Sequence, residues 1–320
     1  MTNVNETINI CDISVTDRKE TKIKHLVCSG GATFGLTAYG VFKESHKQQL
    51  WKIKDIQTMY GCSVGAIMIM MIAVSLQNDE NANTDCWDVL DKYAIDRPWQ
   101  DVFDLSVVNI LNSFYNCGIL SFSVYKDMFQ SVFRANDIPL SVTWKELYEK
   151  IPIEIHIFTV QLNTLDCIDI SYKTHPDWNV LESLYMSGSV PILFAPLKKE
   201  NQIYMDAVLM NEYPLENCIQ NGADIREILG VRKIEEYMIN PSLKKNPETL
   251  FDYISEIISQ LLLKTSYKTI TEIPYECKIV FENLTVQNLY ETTTSKEKRK
   301  ELIENGVEYY KSFVPNINLL

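Results

Sequence analysis

The stretch Ile56-Gln57-Thr58-Met59-Tyr60-Gly61-Cys62-Ser63-Val64-Gly65 holds a serine between two glycines. Its first five residues have a strand pattern, and the apolar segment Ala66–Leu76 that follows has the length of a buried helix. Ser63 between Gly61 and Gly65 therefore fits a nucleophile elbow, a strained turn that exposes the serine oxygen between small neighbours. The N-terminus of the following helix would favour negative charge at an attacked carbonyl, so the pattern predicts a nucleophilic serine.

A second turn of the same kind lies upstream. The strand-like segment 24–28 leads into Ser29-Gly30-Gly31-Ala32-Thr33-Phe34-Gly35, and apolar spacing predicts a helix over 36–46. A glycine-rich turn can aim several backbone N–H groups at one anion, although an ordinary tight turn has the same composition. Neither the P-loop pattern nor the dinucleotide pattern G-x-G-x-x-G matches. Strand, turn and helix repeated twice predict an α/β fold.

The rest of the chain alternates between predicted strands and helices. Strand patterns cover 153–160, 167–172, 203–205 and 276–282. The pattern between about 80 and 150 is mostly helical, and its aromatic residues are interpreted as core anchors: Trp87, Trp99, Phe114, Phe129, Phe133 and Trp144. Beyond Pro214 the pattern is again helical and includes an apolar stripe over 250–262.

Composition limits the classes of protein to which this chain can belong. Its 320 residues suit one large domain or two modest ones, and a hydrophobic share of 46% supports a substantial core. The net charge of -12 argues against general electrostatic binding of nucleic acid. The longest uncharged apolar run, 66–74, has about half the ~20 residues that cross a bilayer. The first 20 residues lack a signal-peptide pattern, so a cytoplasmic protein is expected.

The cysteines and histidines are scattered along the chain. Eight cysteines include no C-x-x-C pair, and the four histidines are equally dispersed. Neither a disulfide framework nor a metal site is therefore expected, and no cofactor is indicated. The cysteines are interpreted as reduced, mostly buried thiols.

The group that would activate Ser63 is less obvious. His156 lies inside an apolar strand pattern, where a core or sheet-face histidine is expected, and His175 lies in a predicted surface turn. A carboxylate that acts directly as base is the better candidate. Asp206 ends a strand pattern and enters a loop, although a loop-capping aspartate would occupy a similar place.

Four segments in this chain resemble the patatin-like phospholipase family. Gly30–Gly35 is similar to its oxyanion loop G-G-G-x-K/R-G, and Gly61–Gly65 is similar to its G-x-S-x-G elbow. Ser187–Pro196 is similar to the segment S-x-x-x-P-x-x-F-x-P, and Asp206–Pro214 to the block D-G-G/A continued as x-x-x-N-x-P. The resemblance covers residues 23 to 215 or nearly so.

The resemblance implies a three-layer α/β/α fold with a mainly parallel central sheet and a helical C-terminal extension. It implies that Ser63 attacks the acyl carbonyl of a lipid while Asp206 takes its proton. Backbone N–H groups of Gly30, Gly31 and Ala32 would stabilise the oxyanion, and water would hydrolyse the acyl-enzyme without a metal.

The residue pattern and the resemblance together set the expected organisation and partners. Residues 1–20 would form a polar tail, 21–215 the catalytic domain, and 216–320 a mainly helical region packed on the same domain. The expected partner is a phospholipid or other acyl-lipid substrate, and peripheral membrane contact is compatible with it. The oligomeric state is not indicated.

This chain departs from the family pattern in three places. Phe34 replaces the usual Lys or Arg of the oxyanion loop and removes a positive charge near the site. Ala32 replaces the third glycine, where a methyl group disfavours a φ > 0 conformation. Ala207 and Val208 replace the two residues after Asp206, and the methyl group of Ala207 is expected to crowd the approach of Asp206 to Ser63. Two alternatives therefore stay open: a serine esterase for soluble esters, and an inactive relative that binds lipid or a partner protein.

Two segments are candidates for membrane contact. The apolar stripe over 250–262 carries acidic residues and little basic charge, so core packing is the preferred interpretation. The basic cluster ahead of the last predicted helix is interpreted as a solvated helix start rather than a site for anionic lipid: Lys296, Lys298, Arg299 and Lys300.

Overall fold

A computed structural model describes residues 22–79, 84–104, 106–235, 253, 254, 257, 271–281 and 285–319. The predicted tail 1–20 and most of the apolar stripe 250–262 lie outside the described residues. The strands of the described part are β1 (His25–Cys28), β2 (Thr58–Cys62), β3 (Gly118–Leu120), β4 (Glu154–Gln161), β5 (Asp166–Ile170), β6 (Ile192–Phe194), β7 (Leu197–Lys199), β8 (Gln202–Asp206), β9 (Ile228–Glu235) and β10 (Tyr275–Phe281).

The helices of the described part surround these strands. In chain order they are α1 (Phe34–Lys47), α2 (Val64–Leu76), α3 (Thr84–Asp96), α4 (Trp99–Val102), α5 (Val107–Asn116), α6 (Ser123–Ala135), α7 (Trp144–Lys150), α8 (Val180–Ser187), α9 (Val208–Asn211), α10 (Leu215–Gln220), α11 (Val286–Thr294) and α12 (Lys296–Ser312). None of the described helices is both long and apolar enough to cross a membrane.

Eight of the strands form a central sheet. Seven of them follow the order β10-β9-β1-β2-β4-β8-β7, and β5 pairs with β4 beside this path. The strands β10, β9, β1, β2 and β4 are parallel, whereas β5, β7 and β8 enter through antiparallel pairs. β3 and β6 form a separate parallel pair. This mainly parallel sheet among helices confirms the predicted α/β fold class.

Hydrophobic side chains cover both faces of the sheet. Leu26 and Met59 lie in a large cluster with α1, α2 and α6, whereas Val27 and Tyr60 lie in a smaller cluster with α10. Successive side chains of a strand point to opposite faces, so such apolar runs are buried on both sides. α2 is buried along almost its whole length, as its all-round apolar pattern predicted.

Beyond residue 215 the chain contributes strands as well as helices. β9 pairs with β1, and β10 pairs with β9, so this region extends the central sheet. The description of 216–320 as mainly helical therefore overlooks β9. Its short apolar run, 228–231, is followed at once by Arg232 and Lys233 and has no alternation, because both faces of a parallel strand are buried. α12 packs along α1.

Not all of the aromatic residues that were predicted as core anchors lie in the core. Most of them lie in or against the large cluster: Trp87, Trp99, Phe129, Phe133 and Trp144. Phe114, on α5, instead has 82% of its surface exposed. The prediction for Phe114 is wrong: no residue of α5 is buried, and the helix leaves its large apolar side chains exposed.

Candidate active site

The pairing register of the sheet brings Ser63 and Asp206 together. Cys62, the last residue of β2, lies beside Phe158 of β4, and Asp206 at the end of β8 lies beside Thr159, the next residue of β4. Ser63 directly follows Cys62, so both side chains reach the same edge of the sheet. The Ser63 Oγ donates a hydrogen bond of 2.5 Å to Asp206 Oδ2.

Ser63 occupies a strained turn at the start of α2. Its φ of 53° and ψ of -125° lie outside the regions that residues with a Cβ ordinarily adopt. Its neighbours have no room for side chains. A Cβ at Gly61 would lie 2.7 Å from the Ala66 nitrogen, and a Cβ at Gly65 would lie 2.5 Å from the Cys28 carbonyl oxygen. Both glycines are thus required by close backbone approach, as an elbow demands.

Other groups hold the elbow in place. The Ser63 N–H donates to the Ser187 Oγ at 3.0 Å, which joins the elbow to the end of α8. Val64 begins α2, so its N–H has no acceptor within the helix. The N-terminus of α2 therefore leaves this N–H group without an intrahelical partner directly after Ser63.

Asp206 is a buried carboxylate that accepts two short hydrogen bonds and a longer one, of 4.0 Å, from the Cys62 Sγ. Besides the bond from Ser63 to Oδ2, its Oδ1 accepts a bond of 2.7 Å from the Val208 N–H. Burial raises the pKa of Asp206 to about 7, because desolvation outweighs the two hydrogen bonds and the nearby charge of Glu212 raises the pKa further. A base with a pKa near neutrality can both accept and return a proton at physiological pH.

The glycine-rich turn lies directly beside the elbow. A Cβ at Gly30 would lie 3.4 Å from the Ser63 Cβ. The Gly30 N–H, however, donates to the Glu212 carbonyl at 2.9 Å and is not free for an oxyanion, which corrects the prediction for that residue. The N–H groups of Gly31 and Ala32 have no backbone acceptor among the described residues. Two groups of the predicted three therefore stay available.

The methyl groups that were expected to disturb the site act differently. Ala32 does adopt a φ of 48°, so the left-handed conformation is kept at a steric cost. Ala207 is fully buried in the smaller hydrophobic cluster, and the short Ser63–Asp206 hydrogen bond is made, so the expected crowding is wrong. Phe34 is also fully buried, with its ring edge-to-face to Phe281, so this position faces the core.

A lysine from a distant strand approaches the glycine-rich turn. A Cβ at Gly31 would lie 2.7 Å from Lys233 Cδ, so the aliphatic stem of Lys233 packs against that glycine. The Lys233 Nζ lies 3.1 Å from Glu212 Oε1 and also pairs with Glu235. Burial lowers the pKa of Lys233, but the two carboxylates raise it more, and the lysine stays charged. A positive charge therefore lies beside the turn although Phe34 carries none.

The two histidines that were considered as bases for Ser63 have other hydrogen-bond partners. His156 on β4 bonds through its Nδ1 to Asp169 and through its Nε2 to Glu154, and it stacks on Tyr60. This is the satisfied sheet-face histidine that the strand pattern predicted. His175 lies in the turn after β5. In the part of the chain that the structure describes, no group of three or more His, Cys, Asp or Glu could hold a metal ion.

Three contributors to the site were not singled out from the sequence. Ser187 and Glu212 lie within segments 187–196 and 206–214, so their place in the motifs was a signal that could have found them. Lys233 belongs to no motif. It reaches the turn only because β9 is parallel to β1 and the carboxyl ends of parallel strands share one edge.

Comparisons with known proteins identify a family and several relatives that this chain resembles. A family model described as patatin-like phospholipase matches residues 26–219. A probable lipid hydrolase of invertebrate iridescent virus 6 is 28% identical over 204 residues, which are 62% of this chain and 63% of that protein. An uncharacterized protein of Acanthamoeba polyphaga mimivirus is 21% identical over 267 residues, which are 76% of this chain and 82% of that protein.

Among solved structures, VipD from Legionella pneumophila has a similar fold. Its TM-score is 0.50 at 14% identity, and the match covers 90% of this chain and 66% of VipD. At that identity the likeness concerns the fold alone. This chain thus spans slightly less than two thirds of both VipD and the iridescent virus relative.

Proposed function

This chain belongs to the patatin-like phospholipase family, and we propose that it hydrolyses acyl ester bonds of phospholipids through Ser63 and Asp206. The observation that carries the proposal is a 2.5 Å hydrogen bond between the two side chains. The Oγ of Ser63, the residue just before α2, donates it to the buried carboxylate of Asp206. A hydroxyl so bonded has a base within reach before substrate arrives, which is the geometry of an activated nucleophile.

The proposed reaction has two steps. Asp206 takes the Ser63 proton while the Oγ bonds to the acyl carbonyl carbon, and the N–H groups of Gly31, Ala32 and Val64 stabilise the resulting oxyanion. The ester C–O bond then breaks, and the alcohol leaves with the proton from Asp206. In the second step water attacks the acyl-enzyme, Asp206 takes a water proton and returns it to the Ser63 Oγ, and the fatty acid is released.

A lysine partly offsets the negative charges around the glycine-rich turn. Glu212 and Glu235 would oppose a developing oxyanion if their charges were unpaired. Lys233, held against Gly31, pairs with both carboxylates. We propose that this buried cation takes the electrostatic part that the oxyanion-loop Lys or Arg has in the family pattern.

We also propose that the enzyme works in the cytoplasm, at lipid surfaces. The described cysteines are free thiols, which suits a reducing compartment: Cys28, Cys62, Cys86, Cys117, Cys167, Cys218 and Cys277.

Labelling by a fluorophosphonate probe and fatty-acid release from phosphatidylcholine vesicles test the proposal. We expect Ser63→Ala to abolish labelling and to lower hydrolysis by at least about 10³-fold, because no nucleophile is left. Asp206→Asn should lower both rates by about 10²- to 10⁴-fold. Ser45→Ala is the matched control, since Ser45 is a fully buried serine whose Oγ bonds to Trp51 Nε1 at 2.9 Å.

Each alternative predicts a different result. Labelling together with hydrolysis of soluble aryl esters, but none of vesicles, would replace the phospholipase by a soluble esterase. A folded wild type that is neither labelled nor active would favour the inactive binding protein. Full activity of Ser63→Ala would overturn the assignment of the nucleophile.

A further inference from the structure

Helix α5 has an exposed apolar side. Its ten residues include no charged side chain. At 3.6 residues per turn its large apolar side chains cover a continuous arc of about 160°. All of them are exposed, and we call them the α5 face: Val107, Val108, Ile110, Leu111, Phe114 and Tyr115.

Two polar residues of the same helix are less exposed than its apolar side chains. Asn109 and Ser113, one turn apart, are half-buried. The Asn109 Nδ2 donates to the carbonyl oxygen and to a carboxylate oxygen of Asp104, each at 3.0 Å. Phe114 and Tyr115, by contrast, have 82% and 89% of their surfaces exposed. A surface helix in water normally buries its apolar side, whereas α5 leaves its large apolar side chains exposed.

We propose that the α5 face docks on the surface of a zwitterionic phospholipid bilayer and presents that surface to the catalytic site. This inference rests on the proposed function, because the bilayer would also be the source of the substrate. The apolar side chains would enter the boundary between headgroups and acyl chains, where their burial is favourable.

The α5 face is connected to the elbow through hydrogen-bonded strands. β3 begins at Gly118, directly after α5, and pairs with β6. β6 follows the segment in which the Ser187 Oγ accepts the Ser63 N–H and the Ser189 carbonyl accepts the Asp206 N–H. A bilayer held by α5 is therefore coupled to the part of the chain that supports both reacting side chains.

Charge identifies the class of lipid. No charged residue occurs between Asp104 and Lys126, and the whole chain has a net charge of -12. Basic side chains at the start of α12 have contacts within the protein. Lys296 pairs with Asp96 at 3.3 Å, and Arg299 is buried. Apolar burial rather than attraction to anionic headgroups must therefore drive binding, which favours uncharged, zwitterionic surfaces.

A second copy of this chain is a less suitable occupant. The α5 face consists of six side chains on one short helix, whereas stable protein interfaces use about 20–30 residues a side. A bilayer needs no complementary shape and can accept a small apolar face.

Flotation with phosphatidylcholine vesicles tests the docking in a Ser63→Ala background, so that the lipid stays intact. We expect Leu111→Gln/Phe114→Gln to bind at least about tenfold more weakly than the parent, because two large apolar side chains no longer enter the bilayer. The matched control is Val314→Gln/Ile317→Gln, which changes side chains that are 78% and 67% exposed elsewhere. Binding of the parent should be insensitive to salt and should not rise when phosphatidylserine is added.

A second arm measures hydrolysis with Ser63 intact. The ratio of vesicle hydrolysis to hydrolysis of a soluble monomeric ester should fall at least about tenfold in the α5 variant relative to the control variant. If neither substrate is hydrolysed, the proposed function fails, yet the flotation arm still decides the docking. Equal vesicle binding by parent and α5 variant would overturn the inference. So would a dimer that dissociates in the α5 variant while vesicles bind neither protein.

Discussion

At the carboxyl edge of the sheet Asp206 buries its carboxylate completely, whereas on α5 Phe114 leaves 82% of its surface exposed. Folded proteins usually do the reverse with both kinds of side chain. The buried carboxylate has a compensating partner in the same molecule, because Ser63 and Val208 donate hydrogen bonds to it. The α5 face has none among the described residues that would cover it. A buried carboxylate can thus be stabilised by hydrogen bonds from the same molecule. An apolar helix side that no described residue covers is buried only by contact with another molecule.

Removal of the buried charge should change stability most. The pKa of Asp206 is raised from 3.8 to about 7, so between those values the native protein keeps a proton that the unfolded chain loses. Stability from this group is fully present below pH about 4 and is lost as pH rises through about 7. The free energy of unfolding of Asp206→Asn should therefore exceed that of wild type by on the order of 3 kcal/mol at pH 8.

Urea unfolding at pH 5 and pH 8 measures this effect. The advantage of Asp206→Asn should be smaller at pH 5 than at pH 8. Asp101→Asn, at an exposed position, is the control and should show no such difference. An advantage that is the same at both pH values would contradict the assignment of the cost to the buried charge.

Relief of backbone strain at the same edge should have a smaller effect. Ala32 has a φ of 48°, and glycine adopts such a φ without the Cβ penalty. Ala32→Gly should raise the free energy of unfolding by about 0.5–1 kcal/mol, after the entropy cost of a glycine is subtracted. Ala38→Gly, within α1, should instead lower it by about 1 kcal/mol. A loss in both variants by thermal unfolding would show that Ala32 is not strained.

The charge of Glu212 should set the pH profile. Because that charge raises the pKa of Asp206, wild-type kcat/KM on a soluble ester should rise with pH through a midpoint near 7. Glu212→Gln should move the midpoint down by about 0.5 pH units, or about 0.7 kcal/mol. Glu182→Gln, whose partner Lys199 lies 2.8 Å away, is the control and should leave the midpoint unchanged. A higher midpoint in Glu212→Gln would contradict the proposed electrostatics.

Polar substitution of the α5 face should change stability least. Because Leu111 and Phe114 are 60% and 82% exposed, Leu111→Gln/Phe114→Gln should keep its free energy of unfolding within about 0.5 kcal/mol of wild type. Urea unfolding without lipid checks this. A loss of more than about 1 kcal/mol would mean that another part of the chain covers the α5 face, and the contrast with the buried edge would disappear.

Local sequence predicted the parts of the site that depend on neighbours in the chain. Small residues around Ser63 predicted a close turn, and the apolar run after it predicted α2 as a buried helix. The end of a strand pattern drew attention to Asp206, and the family resemblance connected it with Ser63. These signals are local because turn geometry and helix periodicity are set by adjacent residues.

Other features of the site had no local signal. The Gly30 N–H was predicted to be free, but the Glu212 carbonyl occupies it. Lys233 lies near the end of β9. No residue pattern indicated that β9 pairs with β1. Phe114 looked like a core anchor because an apolar pattern shows which side of a helix is apolar and not which side faces the protein.

The amino-acid sequence by itself determined the α/β class, the glycine-flanked serine, the helix that follows it and the aspartate at a strand end. Only the tertiary structure decided that Ser63 and Asp206 share a 2.5 Å hydrogen bond, that burial raises the pKa of Asp206 to about 7, and that α5 shows its apolar side to the surroundings. The physical reason is that turns and helices form from residues close in the chain. Desolvation, charge pairing and exposure depend on which distant elements pack together.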